Sequence, residues 1–192
     1  MKKKTNLSPR ETLTNQFHKS IHSIFVLAGF TLINLILIVA KADIYFLFTA
    51  YVPYFIAYMG AFLCGMLPPE TYGEGYTLMQ FLPGSIFAVA LIIALVILAF
   101  YVLCAFMGRK GKIGWLITAL VFFSFDTILT IFLSRTFIDM AFHIGILISI
   151  IFGVVALNKL KKLPPDEIVV DEVVVEDEES TEELEAAPVD NE

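Results

Sequence analysis

Residues 44–67 read IYFLFTAYVPYFIAYMGAFLCGML, twenty-four positions without one charged side chain. A helix of about 20 apolar residues spans a ~30 Å hydrocarbon slab at ~1.5 Å per residue, so length alone permits a crossing. The composition argues against one. Tyr45, Tyr51, Tyr54 and Tyr58 crowd together with Phe46, Phe48, Phe55 and Phe62, and Pro53 interrupts the run. Tyrosine suits a membrane–water boundary, where its ring is apolar and its hydroxyl wet. Whether this stretch crosses or turns back sets the sidedness of everything after it.

Four other runs are plainer. Residues 23–40, 85–107 and 113–133 are almost free of charge, and 138–157 carries only Asp139 and His143 near its start. Each far exceeds a strand, and none shows the alternation of a membrane barrel. Apolar residues make up 58% of the chain, above the ~45–50% of soluble domains, and the excess sits in these runs. They read as membrane helices.

The basic residues decide between four and five crossings, because Lys and Arg gather on the cytoplasmic side. Lys2, Lys3, Lys4, Arg10 and Lys19 precede the first run; Arg109, Lys110 and Lys112 sit in a tight turn; Lys159, Lys161 and Lys162 follow the last. With four crossings these eleven share one side and only Lys41 and Arg135 face the other. If 44–67 also crossed, the split would be six against seven, which is no bias. The expected fold is therefore all-α and integral to the membrane. It has four transmembrane helices and an outer re-entrant or interfacial helical segment at 44–67, with both termini cytoplasmic.

Three regions follow from composition. Residues 1–22 form a cytoplasmic amphipathic segment: Ser8-Pro9-Arg10-Glu11 is a capping box with proline at the first helical position, and Leu13, Phe17, Ile21 and Ile24 recur at helical spacing. Residues 23–162 are the four-span membrane domain. Residues 163–192 hold thirteen of the nineteen acids and no Lys or Arg, leaving the remainder at +7 despite a formal charge of −6. Such a tail has too little apolar surface to offset ordering entropy and reads as a disordered cytoplasmic extension. Ala40-Lys41-Ala42 has the form of a small-x-small cleavage site, but the preceding apolar stretch exceeds a signal peptide's and reads as a retained span. Cys64 and Cys104 lie in apolar surroundings with no metal or redox spacing, and read as small hydrophobes.

Two patterns inside the runs point to helix contacts and to a site. Ala141, Gly145, Ser149 and Gly153 form a four-member small-residue stripe, the side chains that let membrane helices approach closely. Polar groups inside the slab are costly unless partnered. Asn34, Asp126 and His143 fall roughly 7–12 Å deep, counting ~1.5 Å per residue from the outer ends of their runs. With Thr130 and Asp139 they form a candidate polar cluster open toward the outside. Three uses fit it: hydrogen-bonded glue for the bundle, a proton- or ion-coupled translocation site on Asp126 and His143, or a metal site of Asp126, Asp139 and His143.

The pattern Phe125-Asp126-Thr127, then Asp139, Phe142-His143, Gly153 and the lysines 159–162, resembles uncharacterised small four-span bacterial membrane proteins over the last two spans. The resemblance implies a bacterial plasma membrane and no particular activity. No nucleophile motif, metalloprotease helix, phosphate loop or dinucleotide fingerprint occurs. The expected function is a non-enzymatic membrane subunit or interaction protein, with a small transporter or channel component as the rival. Expected partners are the lipid bilayer and a membrane protein or second copy. No cofactor is expected. Nucleic acid is an unsuitable partner, since topology accounts for the bases and the tail is acidic.

Overall fold

A computed structural model describes residues 8–42, 44–78, 80–133 and 136–164. Lys2, Lys3, Lys4, Asp43, Ser134, Arg135 and nearly all of the acidic tail lie outside the described residues. The described chain is all-helical: α1 Pro9–Val39, α2 Tyr51–Leu63, α3 Gly84–Arg109, α4 Ile113–Leu133 and α5 Phe137–Leu160. Four of these, α1, α3, α4 and α5, are long and apolar enough to cross a membrane. The fifth, α2, has 13 residues. At ~1.5 Å per residue it reaches about 20 Å, short of a ~30 Å slab.

Helix α1 starts where its capping box closes. The Glu11 amide donates to Ser8 Oγ at 3.2 Å, and the Ser8 amide donates to Glu11 Oε2 at 2.9 Å. From there it runs unbroken for 31 residues. Its start meets the end of α5, where Arg10 Nη1 donates to the Pro164 carbonyl at 3.0 Å. The α3–α4 turn sits at the same end, because Gly108 faces Ile21 and Leu116. The described basic residues of α1, of this turn and of the α5 end thus share one end of the bundle. Lys41 stands at the other.

Small residues set the α1–α5 approach. A Cβ built on Gly153 would overlap the Ser20 side chain, and Ser23 Oγ lies 3.1 Å from Ser149 Oγ. Around this seam pack Phe17, Ile24, Leu116, Phe123, Ile150 and Leu157. The other half of the stripe behaves differently. Ala141 and Gly145 are exposed, and a Cβ on Gly145 meets nothing within 4 Å. The expected four-member contact face is therefore a two-member one: Ser149 and Gly153 meet Ser23 and Ser20 of α1, and nothing packs on Gly145.

The run 44–67 splits in two. Residues 44–50 are irregular backbone, and α2 then climbs back to the end it came from. Its first turn lies against Thr31 and Asp126, deep between α1 and α4. Its far end returns to the Lys41 end of the bundle, where the Leu82 amide donates to the Leu63 carbonyl at 2.9 Å just before α3 begins. Ala57, Ala61 and Gly60 face inward, and Gly60 rests so closely on Ala90 that a Cβ there would collide. Pro53 does not break this helix as its sequence position suggested. It is the third residue of α2, where an amide would have no intrahelical partner, so nothing is lost by its missing N–H.

Gly153→Ala is expected to destabilise the protein by about 1–3 kcal/mol through overpacking on Ser20. Gly145→Ala, with open space around it, is expected to stay within about 0.5 kcal/mol of the parent. Unfolding in detergent micelles measures both. Equal losses at the two glycines would contradict the α1–α5 seam.

Candidate functional site

Irregular backbone inside a membrane bundle brings amides and carbonyls that no water can satisfy. Between Phe46 and Val52 the polar side chains of three spans supply the partners. Asn34 of α1 works in both directions: the Phe46 amide donates to its Oδ1 at 2.8 Å, and its Nδ2 donates to the Phe46 carbonyl at 2.6 Å. The Phe48 amide donates to Asp139 Oδ1 of α5 at 3.3 Å. The Ala50 amide donates to Thr31 Oγ1 at 2.8 Å, and that hydroxyl donates onward to the Leu27 carbonyl at 2.7 Å.

Asp126 of α4 does the largest share. Ala50 offers no side-chain cap to α2. Instead the Tyr51 amide donates to Asp126 Oδ2 at 2.9 Å and the Val52 amide to Oδ1 at 2.7 Å. A carboxylate here satisfies two orphan donors and sits at the positive end of the α2 dipole. Asp126 is fully buried. Its cap comes from a residue 75 positions away in the chain.

Phe48 pays for the tight geometry of this segment with φ of 81°, a conformation bulky residues rarely adopt. Its ring packs at a tilt on that of Phe142, centroids 4.1 Å apart, one of several contacts that hold the strained residue in place. Tyr45 completes the frame by donating its hydroxyl to Asp139 Oδ2 at 2.6 Å. Partial burial, and then the bond to the Asp139 carboxylate, push this phenol above its ordinary range, so it remains a donor.

His143 lies beneath, stacked on Phe123 with ring centroids 5.6 Å apart and planes 4° from parallel. Its Nδ1 is 2.8 Å from the Asp139 carbonyl. A carbonyl only accepts, so Nδ1 carries a proton. Nε2 then faces Asp126 Oδ2 at 3.4 Å, close enough for an ion pair and too long for a good hydrogen bond. Nε2 is a buried atom without a hydrogen-bond partner in the structure. A proton on Nε2 makes this approach attractive; a bare Nε2 sets two lone pairs face to face.

The sequence-derived residues thus have separate destinations. Asp126 and His143 meet, and Asp139 touches His143 through its backbone while its carboxylate serves the hairpin. Asn34 reaches Phe46 rather than the aspartates. Thr130 Oγ1 donates to the Asp126 carbonyl within its own helix, at 2.9 Å, and joins no other element. Of the three side chains considered for a metal, Asp126 and His143 face each other while the Asp139 carboxylate turns to Tyr45 and Phe48. Among the described residues no group of three or more His, Cys, Asp or Glu is arranged to hold one. The expected outward opening is closed at Asp126 and His143, which are 0% and 1% exposed. A cavity of about 230 Å³ at the Lys41 end of the bundle reaches Asn34, Lys41, Tyr45, Tyr54 and Tyr58, and stops there. Sequence reasoning missed Thr31 and Tyr45. Thr31 sits one turn before Asn34 on the same face, a signal that was available; Tyr45 looked like one interfacial aromatic among many.

The chain matches no family model, no curated protein and no solved structure. The resemblance noted above therefore rests on its quoted residues alone.

Asp126→Ala is expected to cost roughly 2–6 kcal/mol, from ~1–3 kcal/mol for each of two orphaned amides. Asp126→Asn loses less, since its carbonyl still accepts one amide. Thr130→Val should change stability by less than about 1 kcal/mol, because its hydroxyl serves only its own helix. A denaturation series in which Thr130→Val is the most damaging of the three would refute this assignment.

Proposed function

We propose that this chain is a non-enzymatic subunit or interaction protein of a bacterial plasma membrane, with both termini in the cytoplasm. One observation carries the reading. Every oxygen of Asp126 and Asp139 already has a donor from the hairpin, from the Tyr51, Val52 and Phe48 amides and the Tyr45 hydroxyl. The polar groups build a re-entrant element and leave no free carboxylate for a substrate. A protein whose costly buried charges are all used to shape a surface acts by what that surface meets.

The orientation follows from charge. The basic residues gathered at the α1 start, the α3–α4 turn and the α5 end belong on the cytoplasmic side. Lys112→Cys should label from the cytoplasm and Glu70→Cys from outside, in a background lacking Cys64 and Cys104. The reverse pattern turns the assignment over.

A second reading, a transporter or channel component, is favoured by the outer cavity that reaches Tyr45 and by the unsatisfied Nε2 of His143. Affinity purification of the full chain in mild detergent separates the two. A stoichiometric second membrane protein is expected to co-purify. If the chain runs alone, and Asp126→Asn folds normally yet abolishes ion flux in proteoliposomes, the subunit reading fails.

A further inference from the structure

A groove of about 790 Å³ runs along the seam between α1 and α5. Its α1 wall carries Thr12, Asn15, Gln16 and Lys19, an i, i+3, i+4, i+7 stripe, with His18 beside it. Its α5 wall carries Gly145, Ile148, Ser149 and Phe152 at the same spacing. The helices are antiparallel, and Ser23 against Ser149 fixes their register. Thr12 lies eleven residues before that contact and Gly145 one turn beyond it, so the groove extends for roughly 20 Å at ~1.5 Å per residue. That is about the depth of one leaflet including its headgroups.

Polarity changes along this length. The end near Thr12 is hydroxyl, amide and ammonium; beyond Lys19 the α5 wall runs from Phe152 through Ile148 to the bare backbone of Gly145, and its one hydroxyl, Ser149, is already paired with Ser23. No acid lines the groove. Lys19 adjoins Ser20, which rests on Gly153, so the lysine stands about a turn inside the level at which the apolar part of α5 ends, near Leu157. A lysine at that depth extends its ammonium toward the headgroups, and no ion pair with a described carboxylate holds it. Gly145, exposed and unused in packing α1, forms the floor at the apolar end.

We propose that this groove is a binding site for one anionic phospholipid of that leaflet, its phosphate against Lys19, His18 and Gln16 and an acyl chain laid over Gly145. Length, polarity gradient and charge all match that molecule. A second copy of this chain would bring its own lysines to the same mouth.

The test uses the full chain in phosphatidylcholine vesicles containing a minor fraction of phosphatidylglycerol, with lipid retained after mild extraction counted by native mass spectrometry. Phosphatidylglycerol should be enriched roughly fivefold over its bulk share, the effect of one lysine near an anionic surface. Lys19→Gln should remove the enrichment while leaving total retained lipid unchanged. Gly145→Leu fills open space and should lower retention of both lipids at an unaltered melting temperature. Retention at the bulk ratio by the parent chain overturns the proposal, as does full enrichment in both variants. So does efficient inter-chain disulfide formation by Gly145→Cys in a background without Cys64 and Cys104, which would put a second copy in the groove.

Discussion

Backbone amides that enter a membrane bundle without helical partners must find acceptors in protein, and residues 46–52 bring five of them. The rest of the architecture is arranged around this need. Asn34 and Thr31 on α1, Asp126 on α4 and Asp139 on α5 converge because the segment passing between them has donors at four successive levels. Burying a carboxylate costs several kcal/mol. Two charge-assisted hydrogen bonds at ~1.5–3 kcal/mol each, with up to ~2 kcal/mol from the α2 dipole, roughly offset that cost at Asp126. The net stabilisation is small, but the specificity is large. Any register of α4 that withdrew Asp126 would leave two amides and a charge unsatisfied together.

This dependence explains which parts of the fold could be read from the chain. The four long helices coincide with four apolar runs, because hydrophobicity over twenty positions is a local property. Charge asymmetry settled the crossing count for a similar reason: counting Lys and Arg on alternate loops needs no knowledge of contacts. The start of α2 was not legible. Ala50 is a poor cap, Pro53 looked like an interruption, and the side chain that caps the helix lies on α4. A cap supplied from a distant helix leaves no mark in the neighbouring sequence.

The polar cluster was legible as a set and not as a network. Depth counting brought Asn34, Asp126 and His143 to one level, where an Asp–His–Asn contact was a natural reading. It overlooked the backbone as the partner with the strongest demand. Asn34 holds Phe46 through both of its side-chain polar atoms, and Thr130 turns back to its own helix. A similar lesson applies to Ala141, Gly145, Ser149 and Gly153. Spacing shows that four small residues share a face, but how far a neighbouring helix runs along it depends on crossing geometry. Here Ser20 and Ser23 meet Gly153 and Ser149, and Ala141 and Gly145 stay open.

Among the described residues, Nε2 of His143 is the one buried side-chain polar atom of the cluster without a hydrogen-bond partner. Its Nδ1 proton is fixed by the Asp139 carbonyl, its ring by Phe123, and its Nε2 by the position of Asp126. Two of those three constraints come from its own helix and from stacking, and neither changes with the hairpin. The third does, because Asp126 Oδ2 is shared between Nε2 and the Tyr51 amide. The end of α2 and the ring of His143 thus meet at one oxygen atom, Oδ2 of Asp126.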